Sequence, residues 1–230
     1  MNVVVAKHCI KLIREICALQ LDGKVCKVMS LDGVCDLMDL SKSNGWPFDV
    51  KYKTKQEFLD SDDRIYVDKF WDELATESPL LDVETVFLKH EPRALGKKPR
   101  CVFGLGVRKS VCENRLAKNL TESLKQSWQA VFVNKGWLAF GMPASHGVWD
   151  RLARKFEGYT CYELDGSAWD ASMFPWLIEQ FAEIHISLMT GLSEQDKTRI
   201  RNVYTTAYFI MDILPGGGTM KRCHGNGSGH

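Results

Sequence analysis

The sequence predicts an α+β fold, mostly helical with a small antiparallel sheet. Apolar residues recur at helical spacing across residues 4–19 and 113–131 and again beyond Pro175, which argues for amphipathic helices. Two stretches, 84–104 and 210–223, each hold a pair of β-rich runs around a turn-forming segment, as a hairpin does.

The elements follow in chain order. Val5, Cys9, Leu12, Ile13, Ile16 and Leu19 make the stripe of the first helix, and their expected role is core packing. That helix stops at the turn signal Leu21-Asp22-Gly23. Residues 42–55 read as a loop, because Ser, Asn, Gly and Pro cluster at its start. Residues 56–79 read as one or two short polar helices that bury Phe58, Ile65, Phe70, Trp71 and Leu74. Residues 84–89 and 101–104 are the strands of the first hairpin, with the basic stretch 90–100 at its tip.

Leu116, Leu120, Leu124, Trp128 and Val131 line the helix over 113–131. Residues 134–143 are expected to be irregular and 148–156 a short helix. Tyr159-Thr160-Cys161-Tyr162 reads as a short strand running into Glu163-Leu164-Asp165-Gly166-Ser167-Ala168-Trp169-Asp170. Pro175 sits where a first-turn proline is tolerated, ahead of a helix face carrying Trp176, Leu177, Phe181 and Ile184. Ser193 and Asp196 have the spacing of a capping box for a helix to about Tyr208. Residues 210–214 and 219–223, around Pro215-Gly216-Gly217-Gly218, form the second hairpin.

A chain of 230 residues suits one large domain or two small ones, and 45% apolar with 26% charged residues is an ordinary globular composition. The net charge of +1 says nothing about partners, but its distribution does. Residues 55–84 carry ten acids and three bases, and residues 89–118 nine bases and two acids. A basic stretch broken by Pro and Gly suits a phosphate-binding surface. The eight cysteines form no C-x-x-C pair and complete no zinc spacing, which fits free thiols in a reducing, cytosolic setting. No apolar run approaches membrane-spanning length.

Three stretches carry chemistry. Asp165 and Asp170 place two carboxylates at a strand end and a helix start, where they can face a metal ion and a phosphate. Alone, that spacing is weak and reads as well as a strand end followed by a helix cap. The loop 42–55 interleaves Trp46, Phe48 and Tyr52 with four lysines, a composition for single-stranded nucleic acid, or else for a loop pinned by its aromatics. The hairpin tip offers lysines as point charges and arginines as bidentate forks for a triphosphate.

Together, in order, these stretches resemble the RNA-dependent RNA polymerases of positive-strand RNA viruses. Ser43-Asn44-Gly45-Trp46-Pro47 resembles motif G, and Lys89 to Arg100, ending Lys98-Pro99-Arg100, resembles motif F. Asp165-Gly166-Ser167-Ala168-Trp169-Asp170 resembles the palm motif A, and Gly225-Asn226-Gly227-Ser228-Gly229 the start of motif B. Placement of the last stretch after a hairpin is similar to the picornavirus-like and astrovirus-like branches. The Gly-Asp-Asp of motif C does not appear. The resemblance therefore implies part of a right-hand polymerase: fingers over 1–158, including a template-entrance loop 42–55 and a basic NTP-access element 89–104, then the first part of the palm over 159–230.

The implied function is template-directed RNA synthesis in viral replication, with the fragment alone inactive. The resemblance makes Asp165 and Asp170 catalytic, and Asp165 with the Gly166 carbonyl ligands for Mg²⁺ or Mn²⁺. It makes Lys89, Arg93, Lys98, Arg100, Asp170 and Ser228 NTP-binding, with Asp170 and Ser228 near the ribose. Ser43, Gly45, Pro47 and Gly229 would line the template path. Implied partners are the RNA template and nascent RNA, NTPs and other viral replication proteins, in host cytoplasm at replication complexes. The residues leave one alternative, a non-catalytic RNA-binding module using the 42–55 and 89–118 surfaces.

Overall fold

The computed structural model describes residues 3–79, 82–92, 95–96, 100–163, 169–223 and 225; for Val3, Asp170, Ala171 and Tyr208 it describes the backbone alone. The helices are α1 (Val3–Leu21), α2 (Leu31–Cys35), α3 (Lys55–Leu59), α4 (Ile65–Glu73), α5 (Val107–Gln126), α6 (Val148–Lys155), α7 (Trp169–Ser172), α8 (Pro175–Leu188) and α9 (Glu194–Tyr208). The strands are β1 (Val83–Leu88), β2 (Cys101–Leu105), β3 (Ile210–Ile213) and β4 (Thr219–Arg222).

α5 is the spine. Its N-terminal half gives Val107, Val111 and Cys112 to a core shared with Val34 of α2, Phe58 and Leu59 of α3, and Val67 and Phe70 of α4. Its C-terminal half gives Leu116 and Leu120 to a second core with Cys17 and Leu21 of α1, Ala182 and Leu188 of α8, and Ile200 of α9. Where the cores meet, two guanidinium groups lie over the Trp71 ring, Arg115 at 3.7 Å and Arg199 at 4.5 Å from its centroid. Arg199 also donates from Nε to the Trp71 carbonyl at 3.0 Å. One aromatic thus ties α4, α5 and α9 together.

The capping box at α9 forms as expected, with Ser193 Oγ accepting from the Asp196 amide and Asp196 Oδ2 from the Ser193 amide. Both hairpins form too. β1 pairs antiparallel with β2, and β3 with β4. The antiparallel expectation then needs one addition: β1 and β3 pair in parallel, so the hairpins fuse into a mixed sheet of order β2-β1-β3-β4. In that register Glu84 of β1 lies beside Asp212 of β3, and both side chains are fully buried.

The first helix runs as expected, but the expected face does not point inward. Val5, Leu12 and Leu19 are 57%, 48% and 62% exposed, Ile13 and Cys9 are exposed as well, and Ala6, Cys17, Gln20 and Leu21 are buried. Gln20 accounts for the rotation. Its side-chain amide donates to the Leu138 carbonyl at 2.8 Å and accepts from the Leu138 amide at 3.0 Å, satisfying a buried polar group only in this orientation. Ile65 is likewise exposed, at the start of α4, whereas Phe58, Phe70 and Leu74 are buried as expected. The helix expected over 113–131 starts earlier, at Val107, and ends at Gln126, with Trp128 and Val131 in a following 3-10 turn. The strand expected at 159–162 does not form. Tyr159 and Tyr162 are exposed there, and none of the four strands pairs with the segment.

Candidate nucleotide and template interface

The loop from Ser43 is built onto the base of the first hairpin. Ser43 Oγ accepts from the Gly45 amide at 3.2 Å, which turns the chain. Gly45 has φ of +66°, and a Cβ there would stand 2.5 Å from the Leu105 carbonyl oxygen and 3.3 Å from Gly106 Cα. Only glycine meets both demands. Asn44, fully buried, donates to the Tyr52 carbonyl at 2.9 Å and ties the loop's two ends. Pro47 follows a cis peptide and is half-buried.

The loop's aromatics divide. Phe48 packs 4.6 Å from Phe58, and Tyr52 5.7 Å from the same ring while donating its hydroxyl to Asp63 at 2.9 Å. These two rings are core anchors, the pinned-loop alternative, and among the described aromatics of this loop Trp46 is the exposed one. The Arg108 guanidinium lies 5.6 Å from the Phe48 ring and donates to the buried Asp82 carboxylate at 2.9 Å, so the start of α5 braces the loop. Of the four lysines, Lys51 pairs with Asp63 at 2.8 Å. Lys55 turns inward to Ser110 Oγ at 3.2 Å, and burial lowers its pKa.

At the hairpin tip the ladder continues past the strands, with the Lys89 amide donating to the Arg100 carbonyl at 2.8 Å. This holds Lys89 and Arg100 side by side. Glu91 stands between them, 2.9 Å from Lys89 Nζ and 4.0 Å from Arg100 Nη1. Sequence reasoning missed Glu91 as part of the site; the signal was a lone acid inside a run of bases. Both cations remain solvent-accessible, as a phosphate site requires.

The other end of the sheet leads to the remaining motif stretches. β4 ends at Arg222, and Gly225, buried, donates its amide to the Met173 carbonyl at 2.8 Å. Met173 directly follows α7, the short helix that carries Asp170, so a backbone bond ties the start of the Gly225 stretch to the end of that helix. Asp170 falls in that helix as expected, and its side chain is not described. Asp165, Gly166, Arg93, Lys98, Ser228 and Gly229 lie outside the described residues. Among the described residues no three His, Cys, Asp or Glu side chains gather into a metal site. No helix among them is long and apolar enough to cross a membrane.

The fold is that of the right-hand polymerases: the chain superposes on the Sicinivirus 3Dpol RNA dependent RNA polymerase with a TM-score of 0.71 at 16% identity, over 94% of this chain and 48% of that one. Residues 16–230 match the family model described as viral RNA-dependent RNA polymerase, and the chain belongs to that family. It is also 33% identical over 96 residues to the genome polyprotein of Beet mosaic virus, covering 41% of this chain and 3% of the polyprotein. Against the genome polyprotein of Plum pox potyvirus (strain Rankovic) it is 34% identical over 92 residues, covering 39% of this chain and 3% of that one. The chain thus spans about half of the structural relative and a small part of each polyprotein.

Proposed function

We propose that these residues are the template loop, the NTP-access element and the first half of the metal site of an RNA-directed RNA polymerase in viral replication. Residues 1–158 would be fingers and 159–230 the first part of the palm. One observation carries the reading: a single framework seats the Ser43–Pro47 loop on the base of the basic hairpin, and its sheet runs on to Gly225 against Met173, beside the helix of Asp170.

In this reading Ser43, Gly45 and Pro47 guide the template, with Gly229 further along its path. Lys89, Arg93, Lys98 and Arg100 hold the triphosphate and stabilise charge developing on the leaving pyrophosphate. Asp170 and Ser228 sense the ribose 2′-hydroxyl. The Asp165 carboxylate and the Gly166 carbonyl are oxygen donors, the type that magnesium or manganese takes. Bound there, the metal would favour the attacking 3′ oxygenate and neutralise the triphosphate. In the reaction the 3′ hydroxyl oxygen forms a bond to the α-phosphorus as the bond to pyrophosphate breaks, and the hydroxyl proton leaves to solvent. RNA template, nascent RNA and NTPs are the partners, with other viral replication proteins, in host cytoplasm at replication complexes.

The test uses the intact polymerase that contains these residues. Asp165→Asn should abolish primer extension while the thermal unfolding midpoint stays put; normal extension would remove Asp165 from the metal site. Residues 1–230 alone should show no templated synthesis, since the reading leaves their metal site incomplete.

A further inference from the structure

Beneath the sheet lies an ionic cluster that the proposed chemistry does not use. Glu84, fully buried on β1, accepts from Lys109 Nζ through Oε1 at 3.0 Å and from Arg222 Nη2 through Oε2 at 2.6 Å. Lys109, fully buried on α5, also donates to the Thr206 carbonyl near the end of α9 at 3.1 Å and stands 3.8 Å from Glu113. Arg222 on β4 lies 4.7 Å from the Phe103 ring of β2 and 3.7 Å from the Asp212 carboxylate of β3. One carboxylate therefore grips two cations, and through them five elements.

Its place in the chain gives the cluster its meaning. Glu84 precedes Lys89 on the same strand line, and Arg222 precedes Gly225. The parallel register sets Glu84 beside Asp212, two buried carboxylates that would repel without the cations between and around them. An apolar core would hold the strands together without fixing their relative position along the sheet as closely. Directional, fully desolvated hydrogen bonds fix it.

We infer that Glu84 is a positioning residue that sets the triphosphate-binding element at Lys89–Arg100 against the ribose-sensing loop that begins at Gly225. The inference rests on the polymerase reading. Glu84 touches no substrate; it acts through Lys109 and Arg222. Loss of its charge should let the two substrate-facing segments slip by a fraction of an ångström, which harms alignment of one NTP across both more than it harms RNA binding.

The experiment is steady-state incorporation by the intact polymerase on a fixed primer–template, comparing wild type, Glu84→Gln and Glu84→Asp. For Glu84→Gln, KM for NTP should rise roughly tenfold and the preference for NTP over dNTP should fall by a similar factor. RNA affinity should stay within about twofold. Glu84→Asp keeps the charge on a shorter arm and should recover part of both parameters. Should Glu84→Gln fail to fold, Glu84→Asp and Lys109→Arg decide: each should shift KM and ribose preference in the same direction. Unchanged KM and preference in the folded variants, or equal losses in kcat and RNA affinity with KM intact, would overturn the inference. A wild-type polymerase without templated synthesis would instead overturn the polymerase reading itself.

Discussion

Replacing His185 with glutamine isolates one proton-linked contribution to the stability of the helical core. His185 is buried on α8, on the floor of an apolar cavity between α5, α8 and α9. Its Nε2 stands 3.3 Å from the Leu116 carbonyl, which can only accept, so Nε2 carries the proton; Nδ1, 3.3 Å from the Tyr204 hydroxyl, then accepts from it. The neutral ring is thus fully paired. Burial pushes its pKa from 6.5 down to about 4, with the Leu116 carbonyl opposing weakly. Tyr204, itself pushed up to about 12 by burial, stays neutral, and Glu113 is the acid that lines the same cavity.

The sign follows from a lowered folded-state pKa. The unfolded chain takes up the proton first, so the contribution is whole above the unfolded value and declines as pH falls from 6.5 toward 4. At about 1.4 kcal/mol per pH unit, the full loss is roughly 3 kcal/mol, a large share of a domain's net stability. Urea unfolding between about pH 7.5 and pH 4.5 should show the wild type losing stability more steeply than His185→Gln. Carboxylates common to both proteins cancel in the difference. Parallel stability curves would refute the reasoning.

Gly45→Ala should cost about 2–3 kcal/mol, because a left-handed backbone and a 2.5 Å approach to Leu105 both exclude a Cβ. Urea titration measures this, and an unchanged midpoint would mean that the loop does not depend on that contact. In the intact polymerase, Arg100→Ala should raise KM for NTP roughly tenfold while RNA affinity holds. Filter binding alongside incorporation kinetics separates the two, and the reverse pattern would assign Arg100 to the RNA backbone.

Much of the fold was legible because short-range rules decide it. The stripe through Leu116 and Leu120, the Ser193–Asp196 box and the glycine-rich turn after Pro215 each act over a few residues, and each element formed. The inward face of α1 was not legible. Val5, Leu12 and Leu19 outrank Gln20 on any apolar scale, yet Gln20 has a partner at Leu138 that lies far along the chain. Phe48 and Tyr52 left two readings open for a related reason: whether an aromatic among lysines faces solvent depends on whether Phe58 folds back onto it, and here it does. The motif stretches were readable as a family resemblance. The ionic cluster was not, since no spacing rule connects Glu84 to Lys109 and Arg222 before the sheet order is known.

That sheet order also bears on the sequence of folding events. Val83 pairs with Met211 across more than half the chain, whereas each hairpin closes locally. Local pairings form early, and distant ones wait for the segments between them to condense. On a ribosome, the basic hairpin emerges with β1 as an open edge and the carboxylate of Glu84, buried in the finished fold, still in water. An open strand edge invites mispairing. Glu84 discourages that while hydrated, and it gives up its water only when β3 covers the edge and Arg222 of β4 closes on it, so the Lys89–Arg100 ladder and the chain leading to Gly225 are brought into register late and together.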